Sequence, residues 1–177
     1  MKRSESKKVV LGVTGSIAAY KSADIVQSLK KLGFRVSVVM SKSAERFITP
    51  LTFSSLSGEE TYCEENTIRF MAHIELAKEA TVFLIAPATA NIIGKLAAGL
   101  ADSLITSIAL ATKAPIIIAP AMNTAMYQNK IVQQNCEKLK ENGFIFVNPI
   151  KGELACGDVG EGHIAEVFDI VEEVVKI

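Results

Sequence analysis

Five short runs, each almost wholly apolar, recur along the chain with a helix-length stretch between each and the next: Lys8–Val13, Arg35–Met40, Thr81–Ala86, Ala114–Ala119 and Phe144–Asn148. A strand that packs on one face only alternates apolar and polar residues. One that is apolar throughout needs cover on both faces, which a parallel sheet between two helical layers provides. The expected fold class is therefore α/β, a single doubly wound parallel-sheet (Rossmann/flavodoxin-like) domain over residues 1–177. Within it, residues 8–150 form the αβ core, 151–163 a flap and 164–177 a C-terminal helix.

The intervening segments carry helical signals. Ile17, Ala18, Ile25, Leu29 and Leu32 fall on one face of a helix over Ile17–Leu32, with Gly33 at its C-terminal cap. Ser41–Leu56 reads as helix and loop broken by Pro50, and 59–72 as the least regular, polar stretch. Helices are expected over Ile74–Ala80, over Asn91–Thr112 with a break near Gly99–Asp102, and over Thr124–Asn142 up to Gly143. Lys151–Gly162, with four glycines, reads as a loop, and Ile164–Lys176 as an amphipathic helix.

Composition removes several function classes. Acidic and basic residues balance at 19 each, so neither a nucleic-acid-binding basic face nor an acidic tail is indicated. Tryptophan is absent and aromatics make up 6%, which leaves little for base stacking. Although 49% of residues are hydrophobic, no apolar run approaches the roughly 20 residues of a bilayer span. The polar start shows no signal-peptide pattern, so a cytoplasmic protein is expected. Three scattered cysteines, Cys63, Cys136 and Cys156, fit neither a disulfide framework nor a zinc site, and no metal is expected.

In an open parallel sheet, ligands bind beyond the carboxyl ends of the strands. Four turns rich in small and hydrogen-bonding residues fall there: Gly15-Ser16, Ser41-Lys42-Ser43, Pro87-Ala88-Thr89-Ala90-Asn91 and Pro120-Ala121-Met122-Asn123. Each alone is equally a plain helix cap. Together, at one sheet edge, they suit a flat hydrogen-bonding ring with a phosphate tail, as in flavin mononucleotide (FMN). A dinucleotide fits less well: the stretch GVTGSIAAYK lacks the GxGxxG fingerprint, and Met40-Ser41 stands where an acidic ribose-binding residue is expected. His73 is one of two histidines. It is either structural or a proton-transfer group, and Glu75 either orients it or caps its helix. Cys156, framed by glycines in a polar loop, is either an inert loop thiol or one carried over a site.

The motifs Gly15-Ser16-Ile17-Ala18-Ala19-Tyr20-Lys21, His73-Ile74-Glu75-Leu76, Pro87-Ala88-Thr89-Ala90-Asn91, Pro120-Ala121-Met122-Asn123 and Ala155-Cys156-Gly157-Asp158 occur in one order and spacing. In this, the chain from about Val9 to Glu166 resembles the homo-oligomeric flavin-containing cysteine decarboxylases. The resemblance implies an FMN-dependent carboxy-lyase of coenzyme A biosynthesis, converting 4′-phosphopantothenoylcysteine to 4′-phosphopantetheine by transient thiol oxidation, loss of carbon dioxide and re-reduction. It implies cofactor contacts from Gly15, Ser16, Ile17, Ser41, Lys42, Ser43, Thr89, Ala90, Asn91, Ile92 and Ala121. Asn123 would hold the substrate carboxylate, with Met122, Glu153 and Ala155 nearby. His73 would be the active-site base, and Cys156 the proton donor on the flap.

The resemblance also implies a homotrimer or a multiple of trimers, packed through the small-residue segment Gly94–Ala111. A phosphopantothenate–cysteine ligase would be a separate chain or a part removed from this one. His163-Ile164 departs from the Arg-Met of many bacterial members. Rival readings within the same resemblance are a peptide cysteine decarboxylase, a flavin prenyltransferase and a non-catalytic regulatory relative.

Overall fold

The computed structural model describes residues 7–63, 71–153 and 159–177. Six parallel strands form one sheet: β1 (Lys8–Val13), β2 (Arg35–Met40), β3 (Thr61–Cys63), β4 (Val82–Ala88), β5 (Ile116–Pro120) and β6 (Ile145–Phe146), in the order β3-β2-β1-β4-β5-β6. β1 is buried along its whole length, which explains why its sequence is a continuous apolar run rather than an alternating one. Its even residues face one layer of helices and its odd residues the other. Val9, Leu11 and Val13 belong to one hydrophobic cluster and Val10 to the second.

The first layer holds α1 (Lys21–Lys31), α2 (Pro50–Ser57) and α8 (Val167–Val175). The second holds α3 (Ala72–Glu79), α4 (Ala90–Ala97), α5 (Leu104–Ala111) and α7 (Lys130–Glu141), with the one-turn α6 (Thr124–Tyr127) ahead of α7. α1 buries Ile25, Val26 and Leu29, each worth about 1.5–3 kcal/mol relative to exposure. It ends in a Schellman motif, where Gly33 N–H reaches the Lys30 carbonyl and Phe34 N–H the Leu29 carbonyl. Gly33 has φ +86°, which a residue with a Cβ adopts only with strain.

Several expectations need correction. Ile17 and Leu32 are exposed, not on the buried face: Ile17 opens a 3₁₀ turn, Ile17–Tyr20, that shifts the phase before α1 begins, and Leu32 is the C-cap residue, where the backbone has already left the helix. Pro50 starts a helix rather than breaking one: at the first position its missing N–H costs nothing. The polar stretch after Glu59 contains β3, so the sheet has six strands, not five. The helix expected over Thr124–Asn142 is split into α6 and α7, and Asn129 caps the second through its side chain. Lys151–Gly162 is not simply a loop. Its described ends are an antiparallel pair, β7 (Ile150–Glu153) and β8 (Val159–His163).

Candidate functional site

The strand order reverses between β1 and β4, where an open α/β sheet forms its ligand crevice. Thr14 clamps the two strand ends together. Its hydroxyl donates to the Pro87 carbonyl across 2.7 Å and accepts from Thr89 N–H across 3.2 Å, while its own N–H donates to the same carbonyl at 3.3 Å. Thr14 is buried, so these bonds satisfy main-chain groups that water cannot reach. Ser22 does the same for the Ala86 carbonyl at 2.8 Å.

Beyond this clamp lies a cavity of 420 Å³, within the range of small-ligand sites. Ser41, Lys42 and Ser43 reach it from the end of β2, and Thr89, Asn91 and Ile92 from the start of α4. Thr89 caps α4 by accepting from Ile92 N–H at 3.4 Å, so the positive end of the helix dipole faces the cavity. Ser41 and Ser43 share a hydrogen bond of 3.1 Å, and Ser41 also accepts from Ala44 N–H at 3.3 Å. Gly15 does not line the cavity but packs on Ser43, which does: a Cβ at Gly15 would lie 2.5 Å from Ser43 Cβ, so glycine lets the two loops close on each other.

Sequence reasoning missed four lining residues, Thr14, Arg46, Lys95 and Ser103. Thr14 was legible as the residue next after β1. Lys95 lies four residues after Asn91 and shares its helix face. Arg46 ends the 3₁₀ turn Ala44–Arg46 that follows the two serines. Lys95 donates to Asp102 at 2.6 Å, and this hydrogen bond is the main reason the Asp102 carboxyl sits below its ordinary value.

Other sequence-selected residues are placed elsewhere. Ser16 caps the Ile17–Tyr20 turn through Ala18 N–H at 3.3 Å, Ile17 is exposed and Ala90 opens α4 half-buried. Ala121 is buried, its N–H bound to the Ala88 carbonyl at 3.0 Å. None of these four lines the cavity. His73 is half-buried in the first turn of α3. That helix is preceded by Met71 without a side-chain cap, and Glu75 lies in its first turn, where a negative charge meets the positive end of the helix dipole.

A second group assembles at the end of β5. Asn123 caps α6, its Oδ1 accepting from Ala125 N–H at 2.8 Å. That bond fixes the amide so that its NH₂ group is the part suited to an anion. The hairpin lies directly on this turn. Met122 N–H donates to the Gly162 carbonyl at 3.0 Å. A Cβ at Gly160 would strike the Thr124 side chain (2.8 Å from Cγ2), and one at Gly162 would strike the Met122 carbonyl. These glycines allow close packing rather than slackness. Glu153 lies on β7 opposite Val159, while Ala155 and Cys156 fall outside the described residues.

At the base of β8, Lys21 Nζ lies 2.9 Å from His163 Nε2. Burial, and then the Lys21 charge, push the His163 imidazole below its ordinary value, with Glu166 opposing. Cys63 and Cys136 are both buried, and burial raises the Cys136 thiol, which disfavours the reactive thiolate. Among the described residues no group of three or more His, Cys, Asp or Glu converges as a metal site, and no helix is long and apolar enough to cross a membrane.

The chemistry of the cavity suits a flavin. Five serine or threonine hydroxyls and a helix N-terminus suit phosphate and sugar oxygens, and three cations stand in a wall that, among the described residues, holds no carboxylate. Comparison with known proteins agrees. The Flavoprotein family model matches residues 1–177. A probable phosphopantothenoylcysteine decarboxylase of Streptococcus mutans is 46% identical over 174 residues, covering 96% of this chain and 97% of that protein. The coenzyme A biosynthesis bifunctional protein CoaBC of Bacillus subtilis is 44% identical over 170 residues, covering 94% of this chain but 42% of that longer protein. The solved structure of a PPC decarboxylase mutant complexed with pantothenoylaminoethenethiol superposes with a TM-score of 0.86 at 33% identity, covering 97% of this chain and 98% of the other. By fold and by sequence along its whole length, this chain belongs to the flavoprotein family, where its likeness is to the phosphopantothenoylcysteine decarboxylases.

Proposed function

We propose that the chain decarboxylates 4′-phosphopantothenoylcysteine to 4′-phosphopantetheine, with FMN as cofactor, in the synthesis of coenzyme A. The observation that carries the reading is the cavity at the β1–β4 switch point. Its paired serines, Thr89-capped helix and cationic rim occur in a chain 46% identical to a probable decarboxylase of that substrate.

Loss of carbon dioxide from an acylated cysteine would leave a carbanion with no neighbouring electron sink, a high barrier unless charge is delocalised. Bound FMN supplies a reversible two-electron oxidation of the substrate thiol, which creates that sink and is undone at the end. The protein's own residues orient, bind and move protons. Ser41, Ser43, Thr89 and the α4 N-terminus hold the phosphate end, with Lys42 beside them. Gly15, Ser16, Ile17, Ala90, Asn91, Ile92 and Ala121 complete the cofactor contacts. Asn123, its amide oriented by Ala125 N–H, grips the departing carboxylate through its NH₂ group and sets its angle. Met122 N–H holds the end of β8 on this turn through the Gly162 carbonyl and so limits water there. Glu153 and Ala155 flank the substrate. His73 accepts the proton released on oxidation, and the Cys156 thiol returns one to carbon after decarboxylation.

Residues 1–177 act as one domain in this reading, in the cytoplasm, as a homotrimer or a multiple of trimers. Exposed Leu100 and Leu110, both within the small-residue segment Gly94–Ala111, offer apolar surface for that assembly. A phosphopantothenate–cysteine ligase supplies the substrate. The test is release of carbon dioxide from 4′-phosphopantothenoylcysteine by FMN-loaded protein, with a cysteine-terminated peptide as competitor substrate. Turnover of the small molecule is expected. Turnover of the peptide alone, or of neither, overturns the assignment.

A further inference from the structure

We infer that Arg46 is the residue by which this chain prefers FMN to unphosphorylated riboflavin; the inference rests on the flavin reading above.

Hydroxyls bind a phosphate and a sugar alcohol in the same way, so Ser41, Ser43 and Thr89 discriminate less between the two flavins, and the α4 N-terminus adds a modest preference for the anion. The interaction that depends most on the phosphate dianion is that of a cation. Three cations line the cavity, and they differ in what else they do. Lys95 is held by Asp102 at 2.6 Å, so its charge is largely compensated within the chain and its ammonium is directed along that bond. Lys42 is exposed and already engages in an interaction of its own.

Arg46 makes no ion pair or side-chain hydrogen bond among the described residues, although Glu45 is its direct neighbour. Its backbone ends the 3₁₀ turn whose start is fixed by Ser41 Oγ on Ala44 N–H. The guanidinium is thus carried by the same short turn that presents both serine hydroxyls, three residues after Ser43. A planar fork with several donors matches phosphate oxygens in pairs, which a lysine cannot do. The arginine also costs little to keep uncompensated while the site is empty, because it is exposed to water.

The experiment is titration of apo-protein with FMN and with riboflavin, followed by quenching of flavin fluorescence, for wild type, Arg46→Gln, Arg46→Lys and Lys95→Gln. Riboflavin affinity serves as the control for folding of each variant. Wild type is expected to bind FMN more tightly than riboflavin. In Arg46→Gln, FMN affinity is expected to fall roughly tenfold, about 1.4 kcal/mol, with riboflavin affinity unchanged. Arg46→Lys should recover part of the loss, and the FMN preference should shrink with added salt in wild type more than in Arg46→Gln.

An FMN-to-riboflavin ratio unchanged by Arg46→Gln overturns the inference while leaving the flavin reading intact. So does a larger loss of that ratio in Lys95→Gln than in Arg46→Gln, and so does an equal fall in affinity for both flavins. A wild-type protein that binds neither flavin overturns the inference and the flavin reading together.

Discussion

Lys21 Nζ and His163 Nε2, 142 residues apart in sequence, meet at 2.9 Å and join the helix that follows the Gly15-Ser16 turn to the strand that carries the flap. An ammonium only donates, so Nε2 accepts and the imidazole is neutral with its proton on Nδ1. Gly152 backs the ring, since a Cβ there would lie 3.1 Å from His163 Cγ. The Lys21–His163 contact therefore depends on the protonation state of the imidazole, while the close packing of the ring depends on glycine at 152.

The sign of the pH dependence follows. The folded imidazole lies below its ordinary 6.5, so the folded state disfavours the charged form. The contribution to stability is present above 6.5 and is lost as pH falls through the folded value. Protection of the β7 and β8 amides against hydrogen exchange, corrected for the intrinsic rate at each pH, should fall below pH 6.5 in wild type. His163→Gln, whose amide oxygen also accepts from Lys21, should keep the protection and remove its acid dependence. An acid dependence that persists unchanged in this variant would assign it to other groups.

Thr14→Val keeps shape and removes the hydroxyl. The Pro87 carbonyl would lose its 2.7 Å partner and Thr89 N–H its acceptor in a buried setting. A loss of about 1–3 kcal/mol in stability is expected, measured by urea unfolding, together with weaker flavin binding. Unaltered stability would mean that the strand-end clamp contributes little.

Gly15→Ala should force apart the Gly15 and Ser43 loops, because Ser43 Cβ stands 2.5 Å from the added carbon. Flavin affinity should fall by about tenfold or more. Ser43→Gly in the same chain should restore part of the fit, while losing one hydroxyl. A single variant that binds FMN as wild type does would show that the turn has room to relax.

Glu59 gathers the Ser37 hydroxyl at 2.5 Å and Arg35 Nε at 2.8 Å, with Lys8 at 3.8 Å. Burial pushes its carboxyl up, but these three partners together hold it below the ordinary value. Stability from this group is present above its unfolded value of 4.5 and is lost as pH falls through the lower folded value. Glu59→Gln should destabilise the β1–β2–β3 side by about 1 kcal/mol at neutral pH and flatten the acid limb of a thermal-melt profile. An acid limb as steep as that of wild type would contradict this.

The strands β1, β2, β4 and β5 were legible because burial on both faces writes itself as an unbroken apolar run. β3 was not: Thr61-Tyr62-Cys63 is a three-residue edge strand whose neighbours are polar, and its pairing with Val38–Met40 is a tertiary fact. The hairpin was hidden for a related reason. Gly152, Gly160 and Gly162 look like turn residues until the Thr124 side chain, the Met122 carbonyl and the His163 ring are seen against them. At the site, the local turns Ser41-Lys42-Ser43 and Thr89–Ile92 stood out by composition. Arg46 and Ser103 did not, since nothing in their own segments marks them and only the folded chain brings them to one cavity.

The account stands or falls on the cofactor lying at the ends of β1, β2 and β4. Its most direct measurement is a crystal structure of the protein reconstituted with FMN. The expected result is a flavin phosphate within roughly 2.7–3.2 Å of the Ser41, Ser43 or Thr89 hydroxyls and of the Arg46 guanidinium. A flavin bound elsewhere, or a reconstituted protein whose cavity holds only water, would contradict it.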